Sequence, residues 1–198
     1  MIATLRAGTI ADLGVAPGPA REAGVHVSTV IKQLCRALDP ARFSGEITDW
    51  TRIEIGFTVE AWIEQAWQAR RAHTFRPGAI SKDGIIGSPD AVTFDGDDLI
   101  VDEIKCTWMS SKGCPDEKKF WHWLVQIKAY CHLLDTTRAR LHAIFMNGDY
   151  KDHREPQYLS WDLQFHDGEI AENWAMLVNQ ATALRRDHEQ QAGTTDVP

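Results

Sequence analysis

The chain has 198 residues, 43% of them hydrophobic and 25% charged, proportions that suit one soluble globular domain with a sizeable core. Its formal net charge of −7 excludes binding to nucleic acid through overall basicity, although acids gathered at a metal site are offset by the cations they hold. There is no run of about 18 apolar residues and no charged-then-apolar leader. Cys35, Cys106, Cys114 and Cys131 lack zinc-type spacing, so the expectation is a cytoplasmic protein with reduced thiols and no membrane role.

Residues 1–25, with "GVAPGPAREAG", read as an extended lead-in. Residues 26–187 read as a single domain and residues 188–198 as a disordered tail. Ser28 is placed to cap a short helix ending near Leu38, before Asp39-Pro40. From Ile55 to about Arg71, Ile55, Val59, Trp62, Ile63 and Ala66 recur at helical spacing, with Trp62, Trp67 and Trp161 expected in the core.

Gly84 to Phe94 and Leu99 to Thr107 read as two strands of a hairpin around "DGDD". A breaker-rich loop, "TWMSSKGCPD", follows. Glu117 to Leu134 is predicted as a helix with Phe120, Leu124, Ile127, Cys131 and Leu134 on its apolar stripe. Arg140 to Met146 and Gln157 to Phe165 suit two more strands, and a last helix is expected from about Gly168 to Arg186. This order predicts an α/β (α+β) domain with a central mixed β-sheet flanked by helices.

The hairpin carries an expensive set of acids. Asp90 and Glu103 fall in runs that ought to be buried, whereas Asp95, Asp97 and Asp98 suit a turn and Asp102 faces the other way. A four-residue loop, Asp95–Asp98, pairs Phe94 with Leu99 and sets Asp90 opposite Glu103. A two-residue loop, Asp95-Gly96, sets Asp90 opposite Val101. Either register puts Asp90, Glu103 and Lys105 on one face, with neighbouring Cβ atoms roughly 5–8 Å apart. Two buried carboxylates that close repel each other, and Mg²⁺ or Mn²⁺ would resolve the conflict. A lysine beside them suits phosphodiester hydrolysis.

These residues resemble a known signature. Ser88-Pro89-Asp90 followed by Glu103-Ile104-Lys105 is similar to the motif of the PD-(D/E)xK nuclease superfamily, in particular the RecB nuclease domain, CRISPR-associated RecB-like exonucleases and lambda-type phage exonucleases. Gln126-Ile127-Lys128-Ala129-Tyr130 resembles the QxxxY motif of that branch, and Glu60, with Gly56 four residues before it, its upstream acidic motif.

The resemblance implies a restriction-endonuclease-like core and a divalent-metal-dependent DNA nuclease. It favours an exonuclease of phage or prophage recombination, replication or repair, in a bacterial or phage-infected cell. A junction-resolvase-like endonuclease and a catalytically silent binding protein are the alternatives. It also implies one or two Mg²⁺ or Mn²⁺ ions on Asp90, Glu103, the carbonyl of Ile104, Glu60 and, by order, His73. Lys105 is implied at the water or phosphate, with Gln126 and Tyr130 supporting the site. His122, one turn before Gln126, is a weaker cleft-lining candidate.

No iron–sulfur cluster is expected, because no cysteine follows Cys131. Candidate DNA contacts are Arg70, Arg71, Arg76, Lys82, Lys112, Lys118, Lys119 and Lys128, with Trp108 as a base-stacking surface. DNA is the expected partner, with a homo-oligomer or a recombination protein as a further one.

Overall fold

The ten-residue strand Asp98–Thr107 (β6) is the centre of the architecture, because both its edges are paired and its middle is buried. The computed structural model describes residues 22–43, 55–56, 58–63, 65–66, 73–116 and 118–193. The expected lead-in up to residue 21, together with Glu64, Trp67, Arg70, Arg71 and Glu117, lies outside them.

Strand β1 (Val25–His26) leads into helix α1 (Val27–Leu38) and a short helix α2 (Pro40–Phe43). The cap of α1 is His26, which makes no side-chain cap bond, so Ser28 lies inside the first turn instead of before it. Described residues between 55 and 66 form a third helix, α3. Then follow β2 (Thr74–Phe75), β3 (Ile80–Lys82), β4 (Ile85–Gly87), β5 (Ala91–Asp95) and β6. A single 3-10 turn at Lys118–Phe120 opens α4 (Trp121–Leu134), followed by β7 (Arg138–Phe145), β8 (Gln157–Gln164) and α5 (Asp167–Gly193).

The predicted first hairpin strand is in fact two. β4 belongs to a three-stranded sheet of order β1-β4-β3, whereas β5 belongs to a five-stranded sheet of order β2-β5-β6-β7-β8. The break falls at Ser88-Pro89-Asp90, where proline has no N–H to give a ladder. The larger sheet is mixed: β6 runs antiparallel to β5 and parallel to β7, and α4 supplies the crossover that a parallel pair requires.

One face of this sheet (Val101, Ala139, Leu141, Ala143, Phe145) packs into the main core with Val30 of α1, Ile127 of α4 and Leu177 of α5. Trp123 replaces Leu124 as a main anchor of α4, being 5% exposed while Leu124 is only half-buried. Trp62, expected in the core, is 64% exposed on α3. α5 continues beyond Arg186 to Gly193, so the expected disordered tail is helical over its first residues. "RRDHEQQA" is polar, but it is built largely of good helix formers. No described helix is long and apolar enough to cross a membrane.

Candidate active site

The hairpin has the register of the first of the two loop choices, but Asp95 and Asp98 pair as well, so the turn is the two residues Gly96-Asp97 and not four. Phe94 pairs with Leu99 and Ala91 with Asp102, so Asp90, one step before Ala91, faces Glu103. Gly96, at a φ of 65°, makes the tight turn possible. Asp90 is not itself a ladder residue. Its Oδ2 accepts the main-chain N–H of Ile104 at 2.8 Å and so completes the edge of β6 where β5 has ended. A strand residue points its N–H and C=O to the same side, so the Ile104 carbonyl faces the Asp90 side as well.

Glu103 and Lys105 lie on the core-facing side of β6, under α4. Glu103 is 1% exposed. Lys105 Nζ donates to Glu103 Oε1 at 2.5 Å and to Gln126 Oε1 at 3.0 Å, and Gln126 Nε2 donates to the Tyr130 hydroxyl at 2.9 Å. Gln126 and Tyr130 reach the same point because they are one helical turn apart. Gly87 lets α4 come this close: a Cβ there would stand 2.3 Å from Leu133 Cδ1 and 3.0 Å from Tyr130 Cε1. Across the site, Arg76 binds Glu60 Oε1 and lies 3.7 Å from Asp90 Oδ1.

The electrostatics follow from burial. Burial, then repulsion by Asp90, pushes Glu60 up to about 7 despite Arg76. Burial, then repulsion by Glu103, pushes Asp90 up to about 6, against the pull of Lys105. Glu103 is raised by burial and Glu60, opposed by Lys105. Burial works against the Lys105 ammonium, but Glu103 and Asp90 outweigh it and hold the lysine above its usual value. Glu103 Oε2 is buried and has no hydrogen-bond partner among the described residues. The Asp90 carboxylate lies within hydrogen-bonding reach of Glu103, and when ionised it has no proton to give.

The donors that Asp90, Glu103, Glu60 and the Ile104 carbonyl offer are all oxygens, the kind hard divalent cations prefer. The undonated Glu103 oxygen fits a cation as its missing partner. Among the described residues no three acidic, histidine or cysteine side chains close around one point, and Arg76 and Lys105 are seated on the acids. The site opens into a cleft of about 710 Å³ whose wall includes Glu60, Ile104, Lys105, Trp108, Asn147 and Tyr150.

Other expected residues lie elsewhere. His73 precedes β2, and its carbonyl accepts the N–H of Phe94. That puts it four strand residues, about 13 Å, from Asp90, so the structure does not bring it to the carboxylates. Lys82 is exposed on β3 beside His132, six residues along α4 from Gln126. Lys119 donates to the Lys112 carbonyl at 2.8 Å, and Lys128 binds Glu169 at 3.2 Å, so both have structural work. Lys112 and Lys118 are exposed, and Trp108 lines the cleft. His122 edges onto Phe43 and does not line it.

Sequence reasoning missed a polar cluster on the opposite face of β6. Asp102 is fully buried, accepting from His142 Nε2 at 2.9 Å and from Thr93 Oγ1 at 2.5 Å, with Arg140 at 3.4 Å. His142 Nδ1 meets the Tyr158 hydroxyl at 2.6 Å. A histidine inside the apolar run "RLHAIF" was the available signal that a buried acid lay on a neighbouring strand.

No protein-family model and no curated protein matches the chain. Solved structures do. An alkaline exonuclease from Laribacter hongkongensis superposes with a TM-score of 0.56 at 18% identity, covering 87% of this chain and 93% of that one. The same exonuclease in complex with dAMP gives 0.55 at 16% identity, with the same coverage. The protein SSO0001 gives 0.53 at 14% identity, covering 88% of this chain and 82% of that one. The chain has the fold of the alkaline exonuclease. The expected α/β core with a central mixed sheet flanked by helices is the architecture observed.

Proposed function

We propose that the chain is a divalent-metal-dependent DNA nuclease, an exonuclease of phage or prophage recombination, replication or repair. The observation that carries this reading is the single cluster of Asp90, Glu103 and Lys105, with a buried Glu103 oxygen left undonated. Likeness of fold to the alkaline exonuclease favours exonuclease over endonuclease.

In this reading Asp90, Glu103, Glu60 and the Ile104 carbonyl would hold Mg²⁺ or Mn²⁺, and the chemistry such a cation would supply is polarisation of the phosphate and a lowered water pKa. Lys105, held by Gln126, presents its ammonium to the phosphate oxygen that gains charge as the water oxygen bonds to phosphorus and the leaving oxygen departs. Tyr130 fixes Gln126, so both are positioning residues. Arg76, on the acids here, exchanges them for a phosphate when DNA and cation enter. Lys112 and Lys118 meet backbone phosphates farther out. His73 has no part in this ligand set.

End-labelled linear duplex and covalently closed circles, each incubated with Mn²⁺ or Mg²⁺, test the reading. The expected result is stepwise loss of linear DNA, intact circles, and no cleavage by Lys105→Ala or Asp90→Asn. Nicked or cut circles would identify an endonuclease on the same fold. No cleavage of any DNA would leave a binding protein.

A further inference from the structure

The loop 146–153 is built to hold Tyr150, and neither the carboxylates nor the sheet explains why. Tyr150 has a φ of 69°, a left-handed conformation unusual for a bulky residue and costly to hold. Its side chain is nonetheless 51% exposed, so packing does not repay that cost.

Several ties keep it there. Asp149 Oδ1 accepts the N–H groups of Lys151, Asp152 and His153 at 2.8–2.9 Å. Gly148, at a φ of 54°, lets the chain close on itself, since a Cβ would stand 1.9 Å from the His153 carbonyl oxygen. Ser111 N–H donates to the Gly148 carbonyl at 2.9 Å and Ser110 Oγ to the Asp149 carbonyl at 3.1 Å, lacing this loop to the one after β6. The Tyr150 hydroxyl itself donates to the main-chain carbonyl of Trp108.

Tyr150 and Trp108 line the same cleft as Lys105, Ile104 and Glu60. Trp108 follows Lys105 by three residues, just past the end of β6, about 10 Å away at most. We propose that Tyr150, braced on Trp108, is a nucleobase-stacking subsite that binds an unpaired base of the DNA strand next to the scissile phosphate. A rigid aromatic with an exposed face, close to a phosphate site but outside its ion pairs, accepts any base by stacking. Strain kept at a surface tyrosine is repaid when a ligand covers it. The inference rests on the nuclease reading for the identity of the strand.

Binding of a fluorescein-labelled single-stranded oligonucleotide, read by anisotropy with Ca²⁺ in a Lys105→Ala background, separates the two claims. Tyr150→Gly should weaken binding about tenfold, while Tyr150→Phe, which keeps the ring, should stay within about threefold. Tyr150→Gly should melt no lower than its parent, because glycine relieves the left-handed φ. One abasic position in the oligonucleotide should weaken the parent about as much as Tyr150→Gly does, and should add nothing in that variant. If Tyr150→Gly melts early, Tyr150→Asn, which tolerates the same φ, replaces it in the cycle. Equal affinity of parent and variant, or abasic penalties that simply multiply, overturns the subsite and leaves the nuclease reading standing. A parent that binds no oligonucleotide overturns the subsite as well, and the cleavage assay on duplex DNA decides the nuclease reading separately.

Discussion

Burial leaves the three carboxylates of the site poorly matched to their surroundings, and the mismatch can be read as proton binding. Glu60 lies at about 7 and Asp90 at about 6, both above the carboxylate values of an unfolded chain. Between pH 4.5 and 7 the folded state therefore binds more protons than the unfolded one, and its stability falls as pH rises through that window. His132, lowered by burial, opposes this below 6.5. Asp149, Asp162 and Glu169 are lowered, so they act only at more acidic pH. The useful quantity is thus a difference. In EDTA, the urea midpoint of the parent should fall from pH 5 to pH 8, and Glu60→Gln should remove a share on the order of 2 kcal/mol. Parallel pH profiles for parent and variant would contradict the raised Glu60.

β6 is fixed from both sides, and each side makes its own prediction. On one face, His142→Ala takes a donor from fully buried Asp102 and opens a cavity, with an expected loss of about 2–4 kcal/mol by urea denaturation. On the other, Gly87→Ala drives a methyl group into Leu133 and Tyr130, with an expected cost of about 1–3 kcal/mol and a fall in cleavage as Gln126 loses its partner. The register of β5 with β6 and the shared face of Glu103 and Lys105 were legible because alternation has period two and the turn composition is distinctive, whereas Asp90 lies before the first ladder pair and alternation does not set its direction. The split at Pro89 was not legible. Continuous apolar residues on either side of a proline do not reveal that they belong to different sheets. Nor was the seat of Arg76: ion pairs between residues far apart in sequence depend on packing that periodicity does not encode.

At the scale of the molecule, the placing of helix α4 between the hairpin and the β7–β8 strands was readable, since strands and amphipathic helices follow local pattern, whereas the parallel pairing of β6 with β7 depends on packing that local pattern does not encode. His73 was placed by sequence order alone, and order says nothing about distance: β2 pairs with the far end of β5. The whole chain carries −7, and within the cleft the described acids Glu60, Asp90 and Glu103 face the cations Arg76 and Lys105. A divalent cation bound by those oxygens would remove the repulsion among them and stabilise the fold through linkage. Mn²⁺ at 100 times its dissociation constant should add about 2.7 kcal/mol to the unfolding free energy. Asp90→Asn should abolish that gain while keeping the EDTA-treated protein folded, because asparagine keeps an oxygen for the Ile104 N–H. Urea melts of parent and variant, with Mn²⁺ and with EDTA, check this without any cleavage assay. The same Mn²⁺ increment in Asp90→Asn would place the cation elsewhere on the molecule.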